Sequence, residues 1–127
     1  MATVRQWIAM IQQWNEHLPP QPPTTPAAIA AWNGTAPQGD WVNGSSVAYA
    51  VAFANASGPS QPGPWSTFAP STVNAFPTLA NLPVDPLKMA TNRWIYRQFL
   101  KADGTKSPIR IVGITDATST TYQDTQP

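Results

Sequence analysis

The sequence predicts an α+β fold that is mainly β: an N-terminal amphipathic helix, extended proline-rich arms, and a small antiparallel β core with a C-terminal hairpin. Three observations lead there. Apolar residues recur at helical spacing between Val4 and Leu18, large and small side chains alternate strictly between Val47 and Phe53, and two apolar or β-branched runs flank the turn chemistry of Ala102-Asp103-Gly104-Thr105.

A chain of 127 residues is the size of one modest domain, 1–127, with 1–18 as helix, 19–26 as spacer, 27–115 as core, an extended arm over 57–86 within that core, and 116–127 as tail. Fifteen prolines are well above the usual share of about 5%, and the charged fraction of 10% is well below the common value of about 25%. Six Trp, four Phe and three Tyr at a net charge of +1 argue for a folded chain and against disorder. With no cysteine, disulfides, thiol catalysis and Cys-ligated zinc are excluded together.

Val4, Trp7, Ile8, Ile11, Trp14 and Leu18 fall on one face of a helix that Thr3 and Gln6 open as a capping box and Pro19-Pro20 end. The prolines from Pro19 to Pro26 predict a stiff polyproline II spacer. Thr25 as cap and Pro26 at the first helical position then predict a short helix through Ala27–Trp32, closed by Asn33-Gly34. In Val47–Phe53 the bulky Val47, Tyr49, Val51 and Phe53 share one strand face and Ala48, Ala50 and Ala52 the other; the alanines leave a helix as the rival. Prolines scattered over 57–86 among Trp65, Phe68, Phe76, Leu79 and Leu82 predict an irregular arm. With no charge between Asp40 and Asp85, that arm is expected to lie against something.

Between positions 88 and 110, six basic residues stand against Asp103 alone. Read as a hairpin, 93–101 and 109–114 put Arg93, Ile95, Arg97, Phe99 and Lys101 on one face, a positive stripe for an acidic protein surface or for phosphates; read otherwise, it is a solvated strand face guarding an edge. The rival is a helix capped by Asp85 and ended by Gly104. The Thr-rich tail is expected to be flexible unless a partner holds it.

No catalytic constellation appears: the single His17 sits at the end of the first helix, suited to its dipole, and the six scattered carboxylates show no ligand spacing. No glycine-rich phosphate loop, signal peptide or membrane span is recognisable, so the expectation is a non-enzyme without cofactor or membrane partner. Partner contacts are expected from Trp7, Ile11, Trp14, Trp65, Phe68, Arg93, Arg97 and Lys101. The alternative is a carbohydrate-binding module or adhesin in which Trp32, Trp41 or Trp65 stacks on sugar faces.

In composition and layout, with Met1–Pro26 as helix plus proline arm and Arg93–Ile114 as basic hairpin, the whole chain resembles the accessory structural proteins of tailed-bacteriophage virions: capsid decoration or cement proteins and head-to-tail or tail components. No single motif carries that resemblance. It implies a symmetric oligomer, often a trimer, that clamps neighbouring subunits such as the major capsid protein and resides in the virion. It assigns no individual functional residue.

Overall fold

The computed structural model describes residues 19–33, 45–71 and 75–126. The expected helix over 1–18, with Trp7, Ile11 and Trp14, lies outside them. The described residues are mostly β and contain no helix, so none is long and apolar enough to cross a membrane.

Eight strands follow in order: β1 (Ala28–Asn33), β2 (Ser46–Asn55), β3 (Gly58–Pro59), β4 (Ala69–Pro70), β5 (Phe76–Ala80), β6 (Asn92–Leu100), β7 (Arg110–Asp116) and β8 (Tyr122–Gln123). They build two antiparallel sheets, β1-β5-β8 and β3-β2-β6-β7, with β4 also on β2. The sheets meet through one cluster: Val47, Tyr49, Val51, Ile95, Phe99 and Val112 from the larger sheet, and Leu79, with Ile29, Trp32 and Tyr122 packed against it, from the smaller.

The alternation in Val47–Phe53 is a strand, and both its faces are buried, the bulky one against the second sheet. The basic hairpin is also β: β6 pairs with β2 from Asn92 to Leu100 and with β7 from Asn92 to Arg97, which overturns the helical rival. Asp85 does cap backbone, accepting from the N–H groups of Leu87 (3.0 Å), Met89 (2.8 Å) and Ala90 (3.0 Å), but it organises a tight loop and no helix follows.

The short helix expected over Ala27–Trp32 is corrected, because Ala28–Asn33 is β1. Its register slips between Ile29 and Ala31, so Ile29 opposite Leu79 and Trp32 opposite Pro77 both face the core. A bulge thereby reproduces the three-residue spacing of a helical face in extended chain. Six residues are also too few to hold a helix unaided.

The proline arm lies on its own chain. Along the side of β2 away from β6, between β3 and β4, the N–H groups of Ser60, Gly63 and Ser66 donate to the carbonyls of Phe53 (2.7 Å), Val51 (2.8 Å) and Tyr49 (2.9 Å), a three-residue period that leaves the intervening prolines no donor to supply. The hydroxyls of Ser60 and Ser66 return the exchange by accepting from the N–H of Phe53 (3.1 Å) and Tyr49 (3.0 Å). Ser107 does the same for both backbone groups of Phe99, each at 2.9 Å. The first spacer crosses this arm where Gly63 faces Pro23, and a Cβ at Gly63 would come within 2.8 Å of the Pro23 carbonyl oxygen. The end of the expected arm is no arm at all: β5 is the central strand of the smaller sheet, and Pro77 still contributes its carbonyl, to the N–H of Asp124 at 3.1 Å.

Candidate partner-binding surface

Arg93 and Arg97 share a face of β6 with Ile95 and Phe99, as the alternation requires, but it is the inner face. Arg93 is 0% and Arg97 3% exposed, which corrects the expectation of a surface stripe. The physical reason is that each guanidinium finds buried acceptors contributed by distant chain.

Arg93 donates through Nε to Thr115 Oγ1 (3.0 Å) and the Asp116 carbonyl (2.9 Å), through Nη1 to the Pro83 carbonyl (3.0 Å), and through Nη2 to the Ser119 carbonyl. One planar fork thus ties β7, the loop before β6 and the tail. Burial lowers its pKa, and the Asp116 carboxylate, 4.0 Å away, partly offsets this. Arg97 Nη1 donates to Asp124 Oδ2 (2.9 Å) and to the Gln126 carbonyl (3.0 Å), with its guanidinium 4.9 Å from the Phe99 ring centre.

Asp124 is fully buried, and its Oδ2 also accepts from the Tyr49 hydroxyl at 2.5 Å. Burial, then the Asp124 charge, raises the Tyr49 pKa far above the usual phenol range. The tail expected to be flexible is therefore docked on its own core, with β8 paired to β5 and Asp124 in the middle of the sandwich. Lys101, just past β6, stays exposed and closes a turn by donating its N–H to the Thr105 carbonyl at 2.8 Å.

Trp65 and Phe68 are half-buried. Lys106 Nζ lies 5.7 Å from the Phe68 ring centre. Trp65 borders an open groove of about 430 Å³ between the arm and Pro26–Ile29, with Ser66 and Thr67 in its wall. Of the expected contact residues, Trp7, Ile11 and Trp14 lie outside the described residues, and the other five fall into three groups: two arginines inside, two aromatics on the arm, and Lys101 at a turn.

Among the described residues the most exposed large apolar side chains lie elsewhere, at Ile109, Ile111 and Ile114 in and just before β7, and at Val84 and Leu87 in the Asp85 loop. β7 is the outermost strand of its sheet. Between Ile95 and Tyr96 the β6–β7 register slips, so Ile111 opposite Tyr96 and Ile114 opposite Trp94 both stand on the outer face, while Val112 turns inward. The hydroxyl of Tyr122 donates to the Val112 carbonyl at 2.9 Å and holds this bulge from the core side. The run Ile109-Arg110-Ile111-Val112-Gly113-Ile114 was visible as apolar and β-branched; its position at an edge was not.

Among the described residues no group of three or more His, Asp or Glu side chains could hold a metal ion. No protein-family model matches the chain, and no curated protein matches it either.

Proposed function

We propose that this protein is a non-enzymatic structural subunit, an accessory component of a tailed-bacteriophage virion that binds and stabilises neighbouring shell or tail subunits. The observation that carries this reading is the row of exposed isoleucines on the outermost strand of a chain with only 10% charged residues. An apolar edge of this kind is a site of association in a soluble monomer and is normally blunted by charge. A capsid decoration, cement or head-to-tail role would place this edge against the major capsid protein or a tail protein, in the virion.

The test is an affinity-tagged copy expressed in the native source, recovered under mild conditions and followed by mass spectrometry. Capsid or tail subunits at comparable abundance are the expected companions. Recovery of the chain alone, or its absence from purified particles, would overturn the reading.

A second reading rests on Trp65, half-exposed beside Ser66 and Thr67 at the open groove, an aromatic-plus-hydroxyl arrangement suited to a sugar face. Glycan-array binding that Trp65→Ala abolishes would move the function to carbohydrate recognition.

A further inference from the structure

We infer that β7 is a self-association edge, on which a second copy of this chain adds its own β7 antiparallel, so that two larger sheets join into one. The inference rests on the assembly reading only in taking the exposed apolar edge as a contact surface; it specifies the partner and the register.

Among the described residues β7 pairs with β6 alone, so its other edge carries unpaired backbone groups. A bulge ordinarily protects such an edge. Here the bulge at Val112 and Gly113 instead aligns Ile111 and Ile114 on one face, at 49% and 59% exposure. Antiparallel pairing about a two-fold axis at the bulge sets Ile111 of one copy opposite Ile114 of the other, and the reverse, with the two bulges facing each other. Outer faces then meet outer faces, as side-chain alternation demands.

The charges agree with that direction. β7 begins at Arg110, which is exposed and has no acidic partner among the described residues, and ends at Asp116, whose side chain is 65% exposed. Antiparallel pairing brings the Arg110 end of each copy beside the Asp116 end of the other, twice per dimer. Parallel pairing would set like charges together.

The experiment is sedimentation velocity on the full chain across a concentration series, with circular dichroism and thermal melting on every variant. The wild type is expected to dimerise. Ile111→Lys with Ile114→Lys should give a monomer of unchanged fold, because both side chains are exposed. Arg110→Asp should weaken the dimer about tenfold, the effect of setting a carboxylate opposite Thr115 of the other copy, one position from Asp116, at both ends of the seam. Asp116→Lys should do likewise, and an equimolar mixture of these two charge variants should recover a dimer containing one of each. If Asp116→Lys disturbs its own loop, Arg110→Asp and the isoleucine variant carry the test. A wild-type monomer at every concentration would overturn the inference, as would a dimer indifferent to all of these changes. Either result would leave the assembly reading to its own test, since capsid or tail companions can be recovered with a protein that does not pair with itself.

Discussion

The ring of Tyr122 occupies the space that a side chain at Gly113 would need: a Cβ built there overlaps the Tyr122 hydroxyl. Gly113 is thus required by packing, at the bulge that aligns the exposed isoleucines.

Gly113→Ala is accordingly expected to destabilise the fold by about 1–3 kcal/mol, the usual cost of forcing atoms into an occupied site. Tyr122→Phe keeps the ring and loses the bond to Val112, for about 1 kcal/mol. In a Tyr122→Ala background the Gly113→Ala penalty should largely vanish, a coupling that urea melts of the four proteins would measure. Equal penalties in both backgrounds would show that the overlap is relieved elsewhere.

Asp124→Ala leaves the buried guanidinium of Arg97 without its carboxylate and should cost about 3–5 kcal/mol. Tyr49→Phe removes one bond to that same carboxylate, worth about 1.5–3 kcal/mol as a charge-assisted bond. Replacing Arg97 and Asp124 together by Met and Leu should recover much of the loss, because no unpaired charge remains. Thermal unfolding of the double variant decides whether the pair serves stability or only tolerates burial.

Ser60→Ala and Ser66→Ala each strand a β2 backbone N–H, on Phe53 and Tyr49, and each should cost about 1–3 kcal/mol. Hydrogen exchange offers the sharper readout: protection of the Phe53 amide should fall in the first variant and that of the Tyr49 amide in the second. If both amides remain protected, water replaces the hydroxyls.

Stability should fall at both extremes of pH. The Asp116 carboxyl is held at about 2 against an ordinary 3.8, first by the Ser119 hydroxyl and then by the backbone N–H groups of Ser119 and Thr118. A depressed carboxyl stabilises the fold above its unfolded pKa, so this contribution is lost as pH drops from about 4 through 2. Asp116→Ala should flatten that part of the acid limb. In the alkaline direction, Tyr49 and Tyr122 are raised, chiefly by burial, so the fold loses stability as pH climbs past about 10, where the unfolded phenols ionise. Tyr49→Phe should reduce the alkaline slope, read by chemical denaturation at a series of pH values.

The two longest strands were legible because their side-chain patterns are regular. In Val47–Phe53 size alternates residue by residue, and in Arg93–Phe99 charge and ring alternate around Ile95. The same alternation placed Arg93, Ile95, Arg97 and Phe99 on a common face but not on which side of the sheet. The deciding groups are Pro83, Ser119 and Asp124, far along the chain, and nothing in local spacing marks them as acceptors. Where the register slips, period two breaks: Ile29 and Trp32 then imitate a helical face, and Ile111 and Ile114 do not announce that they look outward together. The apolar residues of the arm call for a surface to lie on; that the surface is β2 follows from N–H donors every third residue, at Ser60, Gly63 and Ser66, a signal readable only beside a strand edge. Trp7, Ile11 and Trp14 lie outside the described residues, and Trp65 and Phe68 are half-buried residues of that same arm.

The lock of Asp124 on Tyr49 spans 75 positions of sequence, and its contact with Arg97 spans 27. Until the tail arrives, the forming sandwich holds a cation with no counter-charge, so early collapse is penalised at its centre and the sheets cannot seal before loop closure. Docking of the tail is therefore expected late in folding, so that Asp124→Ala should speed unfolding more than it slows folding. Releasing the tail reopens the interior, so its opening is expected to be tied to unfolding of the sandwich. A protease should therefore cleave around Thr125 no faster than the whole molecule unfolds.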